Sequence, residues 1–249
     1  MMQGMKMATQ GMMSLQQQQE VLSNNLANVG TAGFRKDVME VSSFSQVLDT
    51  QMEQAGYMPV SGGMDIQGML SVSTHTSNAQ GALKMTGSSF DMALDDNGKG
   101  FFTVQSGNGI RFTRNGSFRL STDGYLVSQD GSRVMGNKGP IRLDGKEFQV
   151  NDRGVISVNG REVDRFLITE FSDPKFLKKD GTNNFVGQEG FRVSNDFSVK
   201  QGYLEMANVN VVKEMVDMMQ VMKAFEANQK VLQAQDNVLK KSVNEVGKT

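Results

Sequence analysis

The sequence predicts an α+β protein in which long N- and C-terminal helices pair as a coiled-coil-like inner domain, with a central antiparallel all-β domain between them. Three observations carry this expectation: a heptad of apolar side chains at each end of the chain, a dense series of Asn-Gly and Asp-Gly pairs in the middle, and short β-prone runs separated by those pairs. The division that follows is an N-terminal helical part of the inner domain over 1–34, an extended connector over 35–85, the central β domain over 86–202 and the C-terminal helical part over 203–249.

At the N-terminus, Met5, Ala8, Met12, Leu15, Leu22, Leu26 and Val29 step three and four alternately once Gln19 fills the gap. That spacing places them on one seam of a helix. The run Gln16 to Gln19 favours the helix without opposing close packing, and Asn28, Gly30 and Gly33 supply residues suited to end it. At the far end Val211, Met215, Met218, Met222, Phe225, Gln229, Leu232, Asp236, Leu239, Val243 and Val246 continue the same pattern without a break. Asn208 and Asn210 are candidate N-caps, Gly247 is a natural stop, and no proline intervenes. A helix of about 36 residues is a rod of roughly 54 Å, longer than a chain of this size needs for its own core.

Between the ends, eight Asn-Gly or Asp-Gly pairs begin at Asn97, Asn108, Asn115, Asp123, Asp130, Asp144, Asn159 and Asp180. Such pairs favour tight hairpin turns. The runs between them, among them Phe101 to Gln105, Ile110 to Arg114, Val155 to Val158 and Phe166 to Phe171, are short and β-prone, which predicts a barrel or sandwich of short strands. Residues 35–85 are rich in Ser, Gly, Gln and Met and read as an extended connector, with a short helix over Val38, Val41, Phe44 and Leu48.

Composition excludes several functions. Lysine plus arginine (26) nearly cancel aspartate plus glutamate (27), so no global field draws the chain to nucleic acid. With no cysteine there are no disulfides, zinc-thiolate sites or thiol nucleophiles, and the single histidine, His75, lies among serines and threonines. No stretch approaches the roughly 18 apolar residues of a transmembrane helix, so no membrane insertion is expected. Gln3, Gly4, Thr9, Gln10, Gly11 and Ser14 interrupt the start of the chain, so no cleavable signal peptide is expected, and any export would use a route that needs none.

Chemical motifs are equally sparse. Asp91, Asp95, Asp96, Glu162, Asp164 and Glu170 show no spacing that singles out a catalytic pair, and Gly98 with Gly100 lacks the context of a phosphate-binding loop. The chain therefore reads as a structural protein, not an enzyme, with no catalytic, cofactor-binding or metal residues. Two features point instead to assembly. Val216, Met219 and Val221 lie off the C-terminal seam, so the apolar surface of that helix is wider than one partner covers. Methionine is abundant, with 19 in the chain, and suits seams that must repack in slightly different surroundings. Asn24, Asn25 and Asn28 are explained by helix termination or by an amide ladder between subunits, and Gln229 and Asp236 interrupt the seam as register-setting polar residues do.

Three runs then carry a resemblance. Leu22-Ser23-Asn24-Asn25-Leu26-Ala27-Asn28-Val29-Gly30-Thr31-Ala32-Gly33-Phe34-Arg35-Lys36 resembles the N-terminal signature of the bacterial flagellar rod and hook proteins. Gly202-Tyr203-Leu204-Glu205-Met206-Ala207-Asn208-Val209-Asn210-Val211-Val212 resembles their C-terminal signature. Gly98-Lys99-Gly100-Phe101-Phe102, followed by Phe112-Thr113-Arg114-Asn115-Gly116-Ser117-Phe118, is similar to their central elements. Phe112 stands where members often have tyrosine, and Ala207 where serine or threonine is common.

The resemblance implies a helical inner domain made from both termini, an outer β domain, export through the flagellar type III apparatus, and assembly into the basal-body rod crossing the periplasm. Length and the compact middle favour the proximal over the distal rod protein. The implied partners are copies of the chain itself, other rod and hook proteins, the surrounding basal-body rings and the export apparatus. The implied role is a helical tube that transmits torque from motor to hook. Expected subunit-interface residues are Met5, Met12, Leu15, Leu22, Asn25, Leu26, Asn28, Phe34, Val211, Met215, Met218, Met222, Phe225, Leu232 and Leu239. The competing expectation is a soluble extracytoplasmic binding module, for peptidoglycan for example, dimerised by its terminal helices.

Overall fold

Two long helices bracket a β-rich middle in the computed structural model, which describes residues 2–43, 70–107, 109–143, 145, 147–171, 177–187 and 190–246. Helix α1 spans Met2–Ala27 and helix α2 spans Val211–Val246. The described residues fall into two compact units. The first holds α1 up to Leu26, α2, and a two-stranded ribbon; the second holds 27–36 and 76–210.

In the first unit the glutamine-rich, proline-free run carries α1 as far as Ala27, and the amide of Thr31 bonds the carbonyl of Asn28 in the turn that ends it. The two helices touch at described points near Asn25 and Glu214, whose side chains lie 3.3 Å apart, and at Gly11, where an added Cβ would come within 3.6 Å of Asn228 Nδ2. Position 25 meets 214 and position 11 meets 228, so α1 and α2 run antiparallel there.

The expected coiled-coil-like inner domain is not formed, and this corrects the sequence reading. The more buried face of α2 runs through Glu214, Met218, Val221, Phe225, Asn228, Leu232 and Gln235. It shares Met218, Phe225 and Leu232 with the predicted seam but is turned by one residue at the alternate positions. Met215 and Met222, which a coiled coil would bury, are 51% and 48% exposed. The physical cause is polar: the Asn25 amide bonds the backbone of Asp37 at both its oxygen and its nitrogen, and it turns Glu214 inward rather than Met215. Contact through amides, a carboxylate and a glycine is not the knobs-into-holes packing of apolar side chains that the heptad implies.

The ribbon pairs Asp37–Ser43 with Leu70–Thr76. Val38 and Val41 therefore lie on a strand, which corrects the short helix expected over Val38, Val41, Phe44 and Leu48; Phe44 and Leu48 lie outside the described residues.

Among the described residues the strands of the second unit pair antiparallel. Strand Gly100–Ser106 is central, pairing with Gly109–Thr113, with Arg133–Gly136 and with Ile168–Phe171. The sheet extends outward through Asn184–Gly187 and Leu177–Asp180 on one side and Phe191–Val193 on the other. A three-stranded sheet, Gln149–Val150, Val155–Val158 and Arg161–Arg165, and two short pairs complete the unit. The turn at Asn159-Gly160 shows why the sequence pairs matter: φ is 52° and 77° at the two residues, and Val158 pairs with Arg161 across them. Two successive positive φ angles define the tight hairpin turn whose twist matches the strands.

Alternation along Gly100–Ser106 sends Phe102 and Val104 to one face and Phe101 to the other. Phe102 and Val104 join Met92, Leu94, Phe118, Leu126, Ile156, Phe166, Ile168 and Val199 in the main core. Phe101 joins Phe112 and Phe185 in a smaller aromatic cluster, with the Phe101 and Phe185 rings 5.4 Å apart. Burial on both faces of one strand means that something must cover the second face, and that cover brings the candidate site together.

Candidate functional site

Beside the Phe101 face lie residues of all three signature runs. Phe34 is buried beneath Lys179, whose Nζ lies 4.5 Å from the ring centroid and donates to the carbonyl of Arg35. Arg114 lies over the Phe101 ring at 5.4 Å. The chain can approach this closely because Gly33 adopts φ +70°, and a Cβ there would lie 2.3 Å from the backbone nitrogen of Asn115. Gly33→Ala is expected to cost about 3 kcal/mol or more, the sum of left-handed strain and backbone overlap, read as a lower urea midpoint of the β unit. An unchanged midpoint would show that this approach is not tight.

At the centre sit four charged side chains, Arg35, Arg114, Asp96 and Glu205, all almost completely buried. Arg35 Nη2 lies 3.1 Å from Glu205 Oε1, Arg114 Nη1 lies 3.5 Å from Glu205 Oε2, and Arg114 Nη2 donates to Asp96 Oδ1 at 2.6 Å. Glu205 thus stands between two cations, one from each of the other signatures. The set is neutral, as a buried group of charges must be to avoid a large desolvation penalty.

Backbone groups supply part of the shell. Glu205 Oε1 accepts from the amide of Gly81, and Arg35 Nη1 donates to the carbonyl of Ala79. Asp96 accepts from the amides of Gly98 and Gly100 at 3.0 and 2.5 Å. Burial is the largest influence on Arg35 and lowers its pKa to about 10, with Glu205 opposing; the guanidinium stays protonated at neutral pH. Asp96, one of the carboxylates weighed from sequence as an acid catalyst, is thus occupied in holding a loop and a cation.

Asn208 lies at the edge of this cluster and ties three segments. Its Oδ1 accepts from the amide of Lys36 at 2.7 Å, and its Nδ2 donates to the carbonyls of Ser77 and Ala79 at 3.0 and 2.8 Å. Every hydrogen-bonding position used is to backbone. The side chain bridges strand ends inside the β unit; α2 begins three residues later at Val211, which leaves Asn210 in the capping position.

The expected interface residues separate into three groups. Leu22, Asn25 and Phe34 are buried within the chain. Met12, Leu15, Leu26, Asn28, Met218, Phe225 and Leu232 are half-buried, while Val211, Met215 and Met222 are exposed. Met5 and Leu239 lie on α1 and α2. Val212 and Met219 are also exposed and extend the open side of α2 around Met215 and Met222. The sequence reading gave no role to Arg114, Glu205 or the Arg35 guanidinium. The available signal was a charged residue embedded in each apolar signature: Gly-Phe-Arg, Phe-Thr-Arg and Tyr-Leu-Glu.

The same three stretches are where family models match. Residues 5–35 match the flagella basal body rod protein model, 97–158 the flagellar hook protein FlgE/F/G D1 domain, and 200–245 the flagellar basal body rod FlgEFG protein C-terminal model. The flagellar hook-basal body complex protein FlhO of Bacillus subtilis is 30% identical over the whole of both chains. The chain belongs to the flagellar basal-body rod protein family. Among other relatives, FlgG of Bacillus subtilis, a flagellar basal-body rod protein, is 30% identical over 94% of this chain and 95% of its own. FlgF of Rhizobium meliloti, another flagellar basal-body rod protein, is 31% identical over 99% of each. As a member of the rod family the chain is a structural protein and not an enzyme. Its matched regions contribute Arg35 from the first, Arg114 from the second and Glu205 from the third to a single charge cluster.

Proposed function

We propose that the chain is a subunit of the bacterial flagellar basal-body rod that polymerises with copies of itself and joins other rod and hook proteins. The observation that carries this reading is the open apolar side of α2. Val212, Met215, Met219 and Met222 are all exposed on a helix whose more buried face lies elsewhere. Methionines concentrated on one uncovered helix surface mark a contact that must adapt to more than one neighbour.

The assembly mode is heterologous. One face of a subunit meets a different face of the next, the rotation does not close, and a helical tube grows. In this reading the tube stands in the periplasm, inside the basal-body rings, receives subunits through the flagellar type III export apparatus and transmits torque from motor to hook. Chain length and the compact β unit incline the assignment to the proximal rod ahead of the distal rod.

Sedimentation at rising protein concentration tests the reading. Open-ended growth of the sedimenting species is the expected result, and a fixed small oligomer or a monomer at every concentration would overturn it.

A further inference from the structure

The residues that join the two ends of the β unit carry a mechanical consequence that the rod assignment does not contain. Gly33 donates its amide to the carbonyl of Glu205 at 2.7 Å, and Lys36 donates to Asn208 Oδ1 at 2.7 Å. Between them, Arg35 pairs with Glu205 at 3.1 Å, and the amide of Asn208 reaches the carbonyl of Phe34 at 3.4 Å. As the first segment advances from 33 to 36, its partner advances from 205 to 208, so the two segments run parallel.

We propose that this parallel pair, Gly33–Lys36 beside Glu205–Asn208, is a shear clamp that guards the β unit against force applied through the two ends of the chain. Pulling on the N-terminus draws the first segment back from residue 33, and pulling on the C-terminus draws the second forward from residue 208. In parallel segments those pulls are opposed along one axis. The four cross-ties are therefore strained together instead of opening one after another, and the rupture rate is set by a barrier that includes them all. Asn208 is the positioning residue of the clamp, because its amide also anchors the second segment to Ser77 and Ala79. The residues from 37 to 204 lie inside the loop that the clamp closes and are shielded until it breaks. The buried ion pair of Arg35 and Glu205 adds an electrostatic tie to the backbone ones.

The chain has no native cysteine, so a cysteine added at each end of it gives unique handles for single-molecule pulling. The expected trace shows the helical ends extending first. One dominant rupture then follows, releasing the chain between Lys36 and Asn208, a separation of 172 residues and about 600 Å at roughly 3.5 Å per residue. Asn208→Ala is expected to lower that rupture force roughly by half, since it removes one cross-tie and both anchors.

A second geometry keeps the test independent of whether that variant folds. With Asn208 intact, a handle at Glu40→Cys paired with the C-terminal handle pulls both segments from the same end, so the ties peel in turn and the first rupture comes at clearly lower force. Stepwise unravelling without a dominant event would overturn the proposal. So would equal rupture forces in the two pulling geometries.

Discussion

Glu205→Leu is expected to remove about 3–5 kcal/mol from the stability of the β unit, most of what a marginal domain has. The substitution leaves Arg35 and Arg114 buried with Asp96 as the carboxylate of the cluster, one positive charge in excess, and it strips the acceptor from the amide of Gly81. Glu205→Gln keeps an acceptor for Gly81 while removing the charge, and is expected to fall between wild type and the leucine variant. Arg35→Leu combined with Glu205→Leu restores neutrality and leaves the Arg114–Asp96 pair, so the double variant should lose less than the sum of the single losses. Urea unfolding followed by circular dichroism measures these three variants, Arg35→Leu alone and wild type. A Glu205→Leu midpoint equal to that of wild type would show that the cluster does not hold the signatures together.

The second large effect concerns assembly. Met222→Asp is expected to abolish polymerisation while leaving the β unit as stable as wild type. In the single chain Met222 is nearly half exposed, so an aspartate there stays solvated and costs little. Buried against a neighbouring subunit, the same carboxylate is an unpaired charge in an apolar contact, which costs several kcal/mol at every interface. Val221 would be a poor probe by comparison, because it is buried within the chain and its loss would disturb folding and assembly together. Normal polymer growth by Met222→Asp would remove the α2 surface from the account.

How far the sequence could be read follows from the range of the interactions involved. Helix α2 was legible because 36 residues without proline propagate a local pattern. The hairpin at Asn159-Gly160 was legible because its backbone angles are a property of two adjacent residues. The rotation of α2 was not, since it is decided by Glu214 meeting Asn25, 189 residues away. A heptad read from apolar side chains assumes that the most apolar stripe is the one buried in the chain, and here part of that stripe stays open.

The same limit explains the ribbon. Val38 and Val41 have helix-like spacing, but pairing of Asp37–Ser43 with Leu70–Thr76 overrides it. Asp96, Arg114 and Glu205 were visible only as separate charges in separate motifs. Three signatures that read as markers of helix ends and turns prove to be the pieces of one buried cluster, with Asn208 spent on backbone rather than on a helix cap.

The most direct measurement is a density map of flagellar basal bodies purified from cells that carry this chain. It is predicted to show copies of the chain in the rod, with Met215 and Met222 of one subunit packed against the next. Basal bodies whose rod lacks the chain, or a rod in which those methionines face solvent, would contradict the account.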